Sequence, residues 1–254
     1  MMDLRIMLDI QLSSIFLDMV VIGVAIGRLR SGITFINRKR IVQPDRQERK
    51  ELPSPDIVSR MVGHNNVPLH GLPDVILDRI LKESEARGTP ISEATVGLLS
   101  LPSSESGDSS KKLELVRLHG ILEHELRKLC KLPIQTVTIG TARVVLGITE
   151  TISSNAKRRM IEIFKLKVEN RDECVTNSGY QSMAESFSVA MELERQRVVQ
   201  EIREVWPDVV KGSRNDVMHR KLFQRSTAMK IKESVFEELV EAEVNRQLVK
   251  RFIS

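Results

Sequence analysis

The sequence predicts an all-α protein, and three observations carry that expectation. Aromatic residues are scarce, with one Trp, one Tyr and seven Phe in 254 residues, so Val, Ile and Leu must fill the core, as in helices packed by aliphatic ridges. From residue 113 onward apolar residues recur every three to four positions, which gives a helix one buried stripe. Pro133 and Pro207 separate these stretches, as helix-ending residues should.

Residues 1–30 read as a hydrophobic helix. From Ile6 to Gly27 the chain is mostly Ile, Leu, Val, Met and Phe, close to the roughly 20 residues that cross a bilayer. Arg28, Arg30, Arg38, Lys39 and Arg40 follow it and only Arg5 precedes it. The positive-inside rule then places the remainder on the cytoplasmic side as a single-pass protein. Asp9 and Asp18 are nine residues apart, on opposite sides of a helix, so a surface-lying helix is poorly supported. The alternative is a buried helix in a soluble cytoplasmic protein.

Residues 31–112 read as a basic linker with a short helical segment. Positions 38–56 are rich in Arg, Lys, Glu and Pro and lack apolar periodicity. A short helix is expected from Pro73 to Arg87 through Val75, Ile76, Ile80 and Leu81, with Gly88 stopping it. The Ser-rich run from Leu101 to Ser110 reads as a flexible joint and the domain boundary.

Residues 113–254 read as a bundle of four to five helices. Leu113, Val116, Leu118, Ile121, Leu122, Leu126 and Leu129 form the first apolar stripe. The β-branched stretch from Ile134 to Ile152 suits either strand or a poor helix. Further helices are expected over Ser154 to Val168, Met183 to Val205 and Met229 to Phe252.

Several function classes are excluded. The chain has no phosphate-binding or dinucleotide glycine loop, no HExxH and no Ser/His/Asp arrangement, and no cofactor is expected. Cys130 and Cys174 suggest neither a disulfide framework nor a thiolate metal site and suit a reducing compartment. Neither His64 with His70 nor His119 with His124 has the carboxylate partners of a metal site. The net charge of +5 is compatible with RNA or anionic lipid.

The segment Arg214-Asn215-Asp216-Val217-Met218-His219 carries the strongest chemistry. Asp208 or Ser213 would cap a helix whose first turn holds it, and Asn215 and His219, four apart, would share a face. His219 would act as acid or base on RNA, since an unperturbed imidazole changes charge near neutrality. Arg214 would bind the scissile phosphate, and Asn215 would orient the imidazole or an oxygen. No metal enters that scheme.

This segment resembles the R-x4–6-H motif of HEPN domains, and Leu122-Glu123-His124-Glu125-Leu126-Arg127 resembles their first helix. The resemblance spans roughly Leu113 to Phe252. It implies a helical bundle that dimerises around two motifs, with Arg214 and His219 as the catalytic pair, Asn215 as the intervening polar residue and Glu123 as an auxiliary acid. The expected activity is a metal-independent endoribonuclease, a defence or toxin effector paired with an antitoxin. The alternative it implies is a non-catalytic RNA- or nucleotide-binding or dimerisation module tethered at the membrane.

Overall fold

The computed structural model describes residues 19–27, 29–39, 54–64, 67–101, 109–150, 153–174, 176–227 and 233–252, with the backbone alone at 19, 69, 109–112, 219–227, 233–234 and 249–252. The chain divides into two compact units, 1–39 with 55–194 and 40–54 with 195–254.

The first unit is built on a six-stranded mixed sheet, so the protein is α/β and the all-α expectation is corrected. Its strands are β1 (Met19–Ile26), β2 (Arg30–Arg38), β3 (Asp56–Gly63), β4 (Thr95–Leu99), β5 (Gln135–Val137) and β6 (Asn170–Arg171), in the order β5-β4-β1-β2-β3-β6. β1, β2 and β3 form an antiparallel meander. The pairings β1–β4, β4–β5 and β3–β6 are parallel. A short turn joins β1 to β2, with the Gly27 N–H donating to the Arg30 carbonyl at 3.1 Å.

Alternation along the strands explains the layers. Val20, Ile22, Val24 and Ile26 of β1, with Ile33, Phe35, Val96 and Leu98, face one side. There they pack on α1 (Leu72–Ala86) through Leu72, Ile76 and Ile80, and on α2 (Ser109–Leu129) through Leu118, Leu122 and Leu126. Val21 and Ile36 face the other side, against Val189, Ala190 and Leu193 of the long helix α5 (Asn177–Val205).

That second face approaches α5 at backbone distance. A Cβ placed on Gly23 would lie 2.2 Å from the Ser186 carbonyl oxygen, and one on Gly32 would lie 2.0 Å from that of Ser182. Only glycine leaves room there. The groups enclosed are small and mutually bonded: Thr34 Oγ1 lies 2.9 Å from Ser59 Oγ and 2.8 Å from Ser186 Oγ. At the end of β2, Arg38 Nε donates to Glu194 Oε1 at 2.6 Å with both side chains almost fully buried.

The membrane expectation is corrected at the same place. Met19–Ile26, the apolar end of the stretch read as an anchor, is a central strand of the sheet. A strand covered on both faces needs an unbroken apolar run just as a spanning helix does. Residues 6–18, with Asp9 and Asp18, lie outside the described residues. No helix among the described residues is long and apolar enough to cross a membrane, so the single-pass anchor and the membrane-face location are withdrawn.

The expected HEPN-like bundle over 113–254 is not formed either. That segment gives β5 and β6 to the sheet and the first part of α5 to its face. The β-branched stretch resolves into β5 followed by α3 (Ile139–Val145), capped by Thr138 Oγ1 accepting from the Thr141 N–H at 3.1 Å. Next comes α4 (Ser153–Lys167).

The second unit contains the end of α5, then α6 (Pro207–Thr227) and α7 (Glu233–Phe252). Phe236, Val240, Val244 and Leu248, each four residues on, form the α7 contribution to its core with Val198, Ile202, Trp206 and Val217.

Candidate functional site

Helix α4 forms because Ala156, Met160 and Phe164 recur every four residues and are buried. Phe164 meets Phe187 of α5 with ring centroids 5.8 Å apart and tilted by 59°, a favourable aromatic geometry. The outward positions then hold Lys157, Arg158, Arg159, Lys165 and Lys167 against the single acid Glu162. Fifteen residues thus carry +4 of a chain whose net charge is +5.

Local contacts hold part of this charge in place. Glu162 pairs with Arg159 at 3.1 Å and with Arg158 at 3.9 Å. Lys165 Nζ sits 3.9 Å above the Tyr180 ring. The Tyr180 hydroxyl donates to Glu173 Oε2 at 2.7 Å, and that bond raises its pKa. Arg171 donates to the carbonyls of Lys165 and Val168, closing the C-terminus of α4, where cations also suit the helix dipole. At the other end Arg143 Nη2 reaches Ser153 Oγ at 3.4 Å. Arg158, with its side chain 75% exposed, and Lys167 project into solvent.

Reading the apolar period alone finds this helix but misses its charge. The signal was available as net charge counted per expected helix.

The residues of the RNDVMH segment lie elsewhere. Helix α6 starts at Pro207, a favoured first helical residue. Arg214 is therefore mid-helix, and the exposed amides expected beside it are consumed by helical bonds. Its Nη2 donates to Glu237 Oε2 at 2.5 Å and its Nη1 to Glu241 Oε2 at 3.2 Å. Arg203 also bonds Glu241, and it reaches Asn245 Oδ1 at 2.8 Å. The groove of about 480 Å³ lined by Glu237, Glu238, Glu241, Ala242 and Asn245 thus holds carboxylates that engage the Arg214 guanidinium within the protein. Asn215 is exposed. His219 is on the same helix with its side chain outside the described residues. Glu123 belongs to the first unit, where Arg127 Nη2 donates to it at 2.6 Å and His119 Nδ1 lies 3.9 Å away.

Two other groups have nucleophilic atoms and offer no site. Ser31 Oγ lies 2.9 Å from His64 Nε2, but Ser31 has no exposed surface, so its hydroxyl cannot meet a substrate. Cys130 and Cys174 are free thiols. Burial pushes both up from the ordinary range, which keeps them protonated and unreactive near neutrality.

No family model and no curated protein matches the chain. Among solved structures, Thermus thermophilus RuvC is similar at 11% identity and a TM-score of 0.42, over 68% of this chain and 92% of that one. T. thermophilus RuvC in complex with Holliday junction substrate is similar at 12% identity and a TM-score of 0.38, over 68% and 91%. Likenesses this remote decide neither fold nor function.

The HEPN reading is therefore withdrawn. The resemblance required a self-contained helical bundle, and the same segment instead gives β5 and β6 to a mixed sheet. The metal-independent endoribonuclease, its antitoxin and the membrane-tethered alternative go with it. A catalytic divalent ion of the kind that cuts phosphodiesters needs a carboxylate-rich cluster. The residues do not fit one: among those described, no group of three or more His, Cys, Asp or Glu could hold a metal.

Proposed function

We propose that the protein binds nucleic acid by its phosphate backbone through the outer face of α4. The observation that carries this reading is the concentration of +4 on the outward side chains of one helix, in a chain whose other charges nearly cancel. Such a face gains affinity by releasing counterions from a polyanion. An anionic membrane is the competing polyanionic surface. A membrane-surface helix inserts its apolar side into lipid, but the apolar side of α4 is buried in the protein through Ala156, Met160 and Phe164. Nucleic acid asks only for the charged face.

The test is fluorescence anisotropy with labelled duplex and single-stranded probes over a salt series, comparing the wild type with the triple variant Arg158→Gln, Arg159→Gln, Lys167→Gln. The variant should bind at least tenfold more weakly. On duplex DNA its salt slope should fall by about 0.9 for each phosphate no longer neutralised, with an unchanged circular dichroism spectrum. Equal affinity and slope would sink the proposal, as would retention on anionic vesicles without binding to either probe.

A further inference from the structure

We propose that a second copy of the chain docks on the outward side of α7, as an antiparallel helix pair with its two-fold axis at Ala242. α7 carries two rows of apolar residues, and the core of its unit uses one of them. Phe236, Val240, Val244 and Leu248 are buried there. Val235, Leu239 and Ala242 lie on the other side, at spacings of four and then three, and all three are exposed. Arg246 continues that row after four more residues and is exposed too. Alternating spacings of four and three make the seam along which two helices pack.

The row alone would admit many partners, and its charges select one. Glu238 lies beside it, exposed, and has no ion pair among the described residues. Arg246 holds Glu243 of its own helix through Nε at 2.8 Å and Nη2 at 2.7 Å. That grip orients a guanidinium whose side chain is 71% exposed and leaves the Nη1 donors for another carboxylate.

Glu238 and Arg246 stand four residues to either side of Ala242. A two-fold axis at Ala242 therefore sets each Glu238 level with the Arg246 of the other copy, and the contact occurs twice, as in any isologous interface. Ala242 projects only a methyl group, so the two backbones can approach closely at the axis. Leu239 of each copy then packs beside Ala242 and the aliphatic stem of Arg246 of the other. Parallel pairing would instead bring Glu238 against Glu238 and Arg246 against Arg246, which like-charge repulsion opposes. An unrelated partner would have to present the same acid and base in reverse order, and a second copy does so by symmetry. Few apolar side chains lie at the centre of this contact, so the dimer should be a weak one that dissociates on dilution.

Sedimentation velocity of the full chain over a wide concentration range, without nucleic acid, tests this. The average mass should climb from that of one chain toward that of two and level off there. Leu239→Asp should weaken association by roughly tenfold or more, with an unchanged circular dichroism spectrum. Glu238→Lys should weaken it as well, by setting a lysine against Arg246 of the other copy. Combining Glu238→Lys with Arg246→Glu should restore it, because each copy again meets opposite charge, and a variant that had merely failed to fold would not be rescued in this way. A chain that stays monomeric at every concentration overturns the proposal. So does a dimer that neither Leu239→Asp nor Glu238→Lys weakens, since its contact must then lie on another surface.

Discussion

Arg38 and Glu194 lose nearly all their hydration and recover it only through each other and their immediate neighbours. Removing one partner of such a pair leaves a buried charge, at a cost of about 3–5 kcal/mol. Glu194→Ala should therefore lower the urea midpoint by that equivalent, while Arg38→Met with Glu194→Leu should recover most of the loss. Arg214 stands at the other extreme. Its side chain and those of Glu237 and Glu241 are each about 40% exposed, so solvent screens them and Arg214→Ala should cost no more than about 1 kcal/mol. A near-zero effect for Glu194→Ala in the same urea series would refute the contrast. The sequence shows an Arg five residues before a His. It does not show that the Arg would meet two carboxylates from a helix more than twenty residues away, which engage the guanidinium within the protein.

At the scale of elements, helices were legible and strands were not, for a physical reason. Helix α4 buries one side, so its period of three to four residues shows through. Gly88 ends α1 as its position suggests, at φ +65°, where glycine is free of Cβ strain. β1 is apolar toward both layers, and its run carries no period to read. The glycines that admit α5 look like weaknesses in sequence, yet they set the distance between layers. Gly32→Ala puts a Cβ 2.0 Å from a carbonyl oxygen and should cost at least about 1–3 kcal/mol by overpacking. Gly63→Ala meets no atom within 4 Å and should change the thermal midpoint little. Equal midpoints for the two variants would refute the close packing of α5. In α7 the period was visible and its phase only in part. Phe236, Val240, Val244 and Leu248 turn inward, leaving Val235 and Leu239 43% and 42% exposed.

For the molecule as a whole, the pairings that define the sheet are distant in sequence. β1 meets β4 in parallel, Val24 opposite Leu98, and β3 meets β6 with Val58 opposite Asn170. Loop closure on that scale must precede any gain from pairing. Refolding followed by stopped-flow circular dichroism should therefore be no faster than milliseconds, and a microsecond phase that restores the full signal would contradict this topology. The candidate site was legible only in part: charge counted along 153–167 was available in the sequence. That this charge faces outward depends on how Phe164 packs against Phe187, which a linear pattern does not contain.

The central place of β1 also has a consequence on the ribosome. Its apolar residues are made before those of its parallel partner β4, which begins about 70 residues later, a delay of roughly 4–14 s at ordinary elongation rates. For that interval the nascent chain carries an unpaired run of eight mostly apolar residues that will become the middle of a sheet. The feature that misleads a reader of the sequence is thus also a hazard for the cell, which must shield this strand until its neighbour has been synthesised.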